Sequence, residues 1–369
     1  MSDRYAAILQ PHTAHRKGID NMAQKSYHEQ IDIENTQHLR EILKDLPPYT
    51  KDFFRGITPR TQSRTRIAYA YDLTVFFQYL HENNPVLAKK EIREISLEDL
   101  ESLSPSDIEE YLDYLQFYND HTNKELGQKR KLASLKSFYK YFIYLEAIKY
   151  NPAELVKMPK VHERPITRLD VDEVAQLLDH VESGEQLTAR QQAYHQRTRL
   201  RDLALMSLML GTGIRVSECV GLNVEDVDFK NDAIRVHRKG GKETMVYFGD
   251  EVELTLLNYL EEREELLGTD SSEPALFLSI QKKRISVRAV ENLVKKYSHT
   301  VTTVKHITPH KLRSTYGTSL YRETGDIYLV ADVLGHSDVN TTKKHYAAIE
   351  EERRRGARNV VRLRESTEE

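Results

Sequence analysis

The run Thr308-Pro309-His310-Lys311-Leu312-Arg313 reads as the start of a helix. Thr308 suits the N-cap. Pro309 suits the first helical position, where its missing N–H would be unpaired in any case. His310 and Arg313 then share one helix face, while Leu312, Tyr316 and Leu320 fall on another that can be buried. Two cationic donors at a helix start, where the backbone adds partial positive charge, make a seat for an anionic oxygen. Alone, so short a pattern is more often polar surface, and its meaning depends on partners elsewhere in the chain.

Other residues have the chemistry to be such partners. Arg215 follows the glycine punctuation Gly211-Thr212-Gly213 and opens the amphipathic stretch up to Leu222. Its planar guanidinium suits a structural ion pair and a phosphate equally well. Ile234 and Val236 alternate with Arg235 and His237, and a second short run spans Thr244 to Phe248. Gly240-Gly241 between them predicts a hairpin turn with Lys239 and Lys242 at its tip. Lysines there either solvate the hairpin or reach into a groove.

Composition narrows the classes. The 369 residues suffice for two domains, and 39% hydrophobic with 30% charged residues is ordinary for a water-soluble globular chain. No apolar run reaches membrane-spanning length, and the Met1-Ser2-Asp3-Arg4 start lacks a secretory pattern. Cys219 is the only cysteine, which rules out an intramolecular disulfide and a cysteine-based zinc site within one chain. A reducing, cytoplasmic setting is expected. The formal net charge of -3 gives no global mark of nucleic-acid binding, so any such surface must come from local segregation.

Elements able to position these residues can be read in order. Residues 1–48 are polar and mixed in charge, with one marginal amphipathic helix around Ile31 to Leu43, and read as an extension or interaction arm. Residues 49–160 read as all-helical. Ser96 and Ser104 are placed as caps three residues before Asp99 and Asp107. Between Lys124 and Lys149, seven basic residues stand against Glu125 and Glu146, beside an apolar set of Leu132, Leu135, Phe138, Tyr139 and Phe142. Such a helix can bury one side and lay Lys129, Arg130, Lys131, Lys136 and Lys140 along a phosphate backbone, or simply solvate a charged face. Met158 to Pro165, with two prolines, reads as an interdomain linker. Beyond it, Asp170 to Val181 is predicted helical with Val171, Val174, Leu177 and Leu178 buried, and 183–199 as loop or solvated helix. Apolar helices are expected at Arg201–Leu210 and Ile327–Leu334, and a helix at Ser286–Val294 presenting Arg288.

Taken in order, Gly-Thr-Gly-Ile-Arg215-Val-Ser-Glu, Lys239 on a hairpin, His310-x-x-Arg313, Leu-Gly-His336 and Tyr346 resemble the tyrosine recombinases, which include the Xer proteins and phage-type integrases. The resemblance spans about residues 60–350 and is specific over 201–346. It implies attack of a tyrosine oxygen on a DNA phosphodiester, giving a 3′-phosphotyrosine and a free 5′-hydroxyl without ATP or metal. By that resemblance Arg215 and Arg313 are forked donors to the non-bridging oxygens, and His336 adds another donor. His310 assists proton transfer, Lys239 protonates the departing 5′-oxygen, and Tyr346 is the nucleophile. Lys242 remains an alternative acid and a DNA contact, and Arg288 is a further DNA contact. Tyr346 lies ten residues after His336, where many relatives have nine, and His345 holds the nine position. Ser314 stands where many relatives have a second histidine and is assigned no role.

The family architecture implies a mainly α fold with a small β-hairpin, in which two domains form a C-shaped clamp on duplex DNA. A core-binding domain over 49–160 and a catalytic domain over 164–350 are expected. A tail over 351–369 would dock on a neighbouring protomer. Four protomers on two duplexes would pass through a Holliday junction. Readings that stay open are Xer-like chromosome dimer resolution, an integrase of a phage or transposon, a type IB topoisomerase, and an inactive DNA-binding relative. No metal or cofactor is expected.

Overall fold

The computed structural model describes residues 26–118, 124–160, 167–238, 242–268 and 273–336, together with Val339. The chain divides into two compact units between Glu163 and Arg164. Unit 1 is helical throughout its described part: α1 (Tyr27–Ile42), α2 (Thr50–Ile57), α3 (Ser63–Asn83), α4 (Leu97–Glu101), α5 (Pro105–Tyr114), α6 (Glu125–Tyr144) and α7 (Pro152–Leu155). Ser96 and Ser104 open α4 and α5 with reciprocal capping boxes, as their spacing to Asp99 and Asp107 predicts. Phe53, Phe76, Phe77, Tyr111 and Phe138 are buried together. Edge-to-face pairs at 5.1 Å join Phe53 to Phe138 and Phe76 to Tyr111, the arrangement that ring quadrupoles favour.

The expected extension over residues 1–48 does not stand apart from this core. Helix α1 lies against α3, and its Leu39 and Leu43, one turn apart, enter the shared hydrophobic cluster. Polar bonds reinforce the seam: Ser63 Oγ donates to Asp32 Oδ1 at 2.6 Å, and Asn35 Nδ2 to Ser63 Oγ at 2.9 Å. Residues 1–25 lie outside the described set.

Unit 2 holds α8 (Val171–Ser183), α9 (Ala189–His195), α10 (Arg199–Thr212), α11 (Val216–Gly221), strands β1 (Val227–Asp228), β2 (Ala233–His237) and β3 (Glu243–Tyr247), then α12 (Asp250–Leu267), α13 (Val287–Val301), α14 (Pro309–Thr324) and α15 (Ile327–Leu334). Its centre is α10, whose Ala204, Leu205, Met206, Leu208 and Met209 are all buried. A helix apolar on nearly every side must be enclosed, and α8, α12 and α14 enclose it. The strands form one antiparallel sheet in the order β1-β2-β3, with Ile234 opposite Val246 and His237 opposite Glu243. Ile234, Val236 and Val246 are buried, so the alternation read from the sequence is the pleat of this sheet.

One local expectation is corrected, and one left open between two readings is decided for a solvated helix. Val171 is 70% exposed rather than buried. It sits at the first position of α8, turned away from the Leu177–Val181 face that packs inward. The polar run 183–199 contains the short helix α9, opened by a Thr188–Gln191 capping box. No described helix is long and apolar enough to cross a membrane.

Candidate active site

Three segments of unit 2 bring the cationic residues together. The first is the end of α10. Gly213 terminates it with φ +64, and a Cβ there would lie 2.4 Å from the Tyr316 ring. Conformation and close packing both demand glycine. The chain then reverses, and Arg215 becomes the N-cap residue of α11. Glu218, one turn into that helix and buried, accepts the Arg215 backbone N–H at 2.8 Å and its Nη1 at 2.7 Å. One carboxylate thus sets both the backbone and the side chain of Arg215. The Arg-x-x-Glu spacing carried this pairing in the sequence, where Glu218 had been given no role.

The second segment is α14. Pro309 occupies its first turn, as the sequence predicts, and Gly325, at φ +70, ends it. Thr308 is the N-cap residue, but its side chain makes no capping hydrogen bond. His310 is exposed in the first turn, and Arg313 is 4% exposed one turn later. Leu312 is buried and Tyr316 half-buried on the inward face, where burial raises the Tyr316 phenol above its ordinary value.

The third segment is the end of α15. Gly335 adopts φ +62, and the turn closes with Gly335 N–H on Asp332 O at 2.8 Å and His336 N–H on Ala331 O at 2.9 Å. This is a Schellman ending, which leaves a fan of helix carbonyls pointing onward. Guanidiniums receive them. Arg215 Nη2 donates to Gly335 O at 3.2 Å, and Arg313 Nη2 donates to Leu334 O while its Nη1 donates to Gly213 O at 2.6 Å. Arg238 donates Nη1 to Asp332 O at 3.2 Å and Nη2 to Val333 O at 2.6 Å. Four consecutive carbonyls, 332 to 335, are therefore held by three arginines. The partial negative charge of a helix C-terminus favours this, at roughly 0.3–1 kcal/mol for each exposed cation.

Carbonyl ligands orient a guanidinium without neutralising it. Among the described residues, the hydrogen bonds at this turn join Arg215 to the Glu218 carboxylate as well as to a carbonyl, and join Arg238 and Arg313 to carbonyls. Burial pushes the Arg238 pKa down, Arg215 nearby acts in the same direction, and Glu218 opposes both. His336, half-buried, follows this turn directly. The structure thus brings Arg215, Arg313 and the backbone of His336 to one place, with His310 on the helix that carries Arg313. Lys239 and Tyr346 lie outside the described residues. A preorganised cationic cluster of this kind can hold an anionic oxygen and stabilise charge that develops on it.

The basic residues expected to contact DNA divide. On α6, Lys129 and Lys140 are exposed. Lys131 is only 8% exposed and lies 3.4 Å from the buried Asp72, so the expectation that it faces a phosphate is corrected. It shares a helical face with Leu135, Phe138 and Phe142, four, seven and eleven residues on, which are buried. Arg130 Nη1 also bonds Asp72, at 2.5 Å, and Lys136 Nζ bonds the carbonyls of Glu154 and Val156 at 3.3 and 3.1 Å. In unit 2, Lys242 is exposed, and Arg288 is exposed with a 3.2 Å bond to Glu291 one turn along.

Comparison with known proteins gives the family. The phage integrase family model matches residues 167–353. A tyrosine recombinase XerC of Caldanaerobacter subterraneus subsp. tengcongensis is 33% identical over 310 residues, covering 80% of this chain and 82% of its own. A tyrosine recombinase XerS of Lactococcus lactis subsp. cremoris is 29% identical over 352 residues, covering 87% and 97%. Among solved structures, a XerH site-specific recombinase bound to its palindromic difH substrate aligns over 89% of both chains, with TM-score 0.65 and 18% identity. A lambda integrase tetramer bound to a Holliday junction aligns over 80% of this chain and 76% of that one, with TM-score 0.58 and 16% identity. At those identities the structures speak for the fold alone. The helical fold and the cationic cluster fit DNA strand exchange, the reaction of the family that the comparisons give. The chain belongs to the phage integrase family and is a tyrosine recombinase.

Proposed function

We propose that the chain recombines two copies of a specific double-stranded DNA site as a homotetramer, in the Xer manner of resolving chromosome dimers. The observation that carries this reading is the relationship to Xer recombinases over four-fifths or more of the chain. The docking of α1 on α3 supports it over an arm-binding integrase, because the apolar side of that helix is spent within unit 1.

In the proposed reaction the Tyr346 oxygen attacks the scissile phosphorus and the bond from phosphorus to the 5′-oxygen breaks. His310 assists removal of the tyrosine proton, and Lys239 supplies a proton to the departing oxygen. Arg215, Arg313 and His336 stabilise the charge on the non-bridging oxygens. The phosphodiester energy is retained in the tyrosyl ester, so no ATP enters the balance. An unperturbed tyrosine has a pKa of about 10, so a cationic surround favours its phenolate. Attack by the freed 5′-hydroxyl of the partner duplex on the tyrosyl ester reverses these bonds, exchanges the strands and gives the Holliday junction.

The test uses the full chain and sheared, nicked genomic DNA of its source. After denaturation, wild-type protein is expected to carry covalently bound fragments that share one sequence. Tyr346→Phe is expected to carry none. Adducts formed equally by the Phe variant would overturn the nucleophile. Adducts scattered without a common sequence would overturn site specificity and favour a topoisomerase.

A further inference from the structure

Arg238 had no role in the sequence reading, and the chemistry proposed above does not use it. It is the last described residue before the hairpin tip, and its backbone N–H donates to Lys242 O at 2.8 Å, one pair beyond the strand register. Its guanidinium leaves the hairpin and spans to the end of α15, 94 and 95 residues on in sequence, where it bonds Asp332 O and Val333 O. Asp332 contributes its main-chain oxygen, so the contact is no surface ion pair. The fit to Gly335 is close: a Cβ there would lie 2.3 Å from Arg238 Nη1 and 2.6 Å from Cζ. Arg238 Nε is buried and finds no hydrogen-bond partner among the described residues. The next two carbonyls of the same turn are held by Arg313 and Arg215, and Glu218 acts electrostatically on Arg238 as well as bonding Arg215.

We infer that Arg238 is a positioning residue. It clamps the root of the β2–β3 hairpin to the Gly335–His336 turn, and the acid role proposed for the next residue in sequence, Lys239, depends on that clamp. The inference rests on the reading of Lys239 as the general acid. Lys239 itself lies outside the described residues, and the effect reaches it through covalent connectivity, since adjacent Cα atoms are about 3.8 Å apart. A planar fork suits two successive carbonyls, whereas an ammonium reaches them as a single point charge.

The probe is a nicked duplex built on the sequence recovered from adducts, with oxygen or sulfur as the 5′-bridging atom. A sulfur leaving group needs no proton, so it rescues defects in the acid and no others. Lys239→Ala is expected to cut the oxygen substrate slowly and the sulfur substrate at nearly the wild-type rate. Arg238→Met is expected to slow the oxygen substrate about 10- to 100-fold, the scale of a misplaced catalytic group, with the same sulfur rescue and with gel-shift affinity for DNA unchanged. The double variant is expected to be no slower than Lys239→Ala, because the two act through one step. Equal slowing of both substrates by Arg238→Met, or defects that multiply in the double variant, would overturn the inference alone. Absence of sulfur rescue in Lys239→Ala would overturn the acid assignment and the inference with it. Should Arg238→Met fail to fold, Arg238→Lys keeps the charge on a single nitrogen without the planar fork, and its partial defect must show the same rescue.

Discussion

Unit 1 and unit 2 each gather basic side chains inside helical packing, and they do so with opposite consequences. In unit 1, Arg130 and Lys131 converge on the Asp72 carboxylate, which is 1% exposed. Burial raises the Asp72 pKa despite two cations that act to lower it. Desolvation therefore outweighs attraction, and the charges are consumed in cancelling one another. In unit 2, Arg215, Arg238 and Arg313 converge on backbone carbonyls at the end of α15. Those dipoles orient the guanidiniums, and Arg215 also bonds the Glu218 carboxylate. The basic side chains meet a buried carboxylate in one unit and chiefly peptide carbonyls in the other.

The largest expected effect breaks the unit 1 arrangement. Asp72→Ala leaves Lys131 buried beside Arg130 with no anion, which is expected to cost about 3–5 kcal/mol. Urea unfolding followed by circular dichroism measures it, and Asp72→Leu with Lys131→Met is expected to recover most of the loss. A recovery no better than the single variant would mean that the pair contributes more than its desolvation cost. The pH dependence has a definite sign. Because the folded carboxyl holds its proton more tightly than the unfolded one, stability at this site is fullest below the ordinary carboxylate range. It declines as pH rises through the raised value. Asp72→Asn should flatten that slope.

Next in size is Arg313→Lys, which keeps a charge but cannot hold Gly213 O and Leu334 O with one planar fork. Losing one preorganised donor costs roughly 100- to 1,000-fold in rate, and adduct formation on the recovered DNA site should fall by that order. Arg130→Lys is expected to change cleavage less than about threefold, since lysine keeps a charge beside the buried Asp72 and the side chain of Arg130 is itself partly exposed. If the two variants lose comparable activity, the distinction between the two clusters fails.

The smallest effect concerns the exposed stripe of α6. Lys129→Ala and Lys140→Ala should each weaken DNA binding about equally on all sequences and reduce the salt slope by about 1. Lys131→Ala should leave that slope unchanged while altering stability. A reduced slope for Lys131→Ala would return that residue to the DNA surface.

Much of this could be read from local sequence. The capping boxes at Ser96 and Ser104, the hairpin register, the Pro309 start and the Gly213, Gly325 and Gly335 endings involve neighbours within a few residues, whose stereochemistry is set by short-range sterics. The fate of Lys131 was also legible, because helical periodicity applied to the charges places it with Leu135 and Phe138, opposite Lys129 and Lys140. The marginal apolar pattern of α1 was not enough to show its docking, since the surface that covers it belongs to α3.

The order and types of Arg215, Lys239, His310, Arg313, His336 and Tyr346 were enough to point to the tyrosine recombinases, the family to which the chain belongs. Only the tertiary structure decided how the arginines are held. Arg215 and Arg238 find their carbonyls 120 and 95 residues away, across a reversal at Gly213 and a Schellman turn at Gly335. Such pairings depend on the packing of α10, α14 and α15 around a shared core, and no spacing along the chain encodes them.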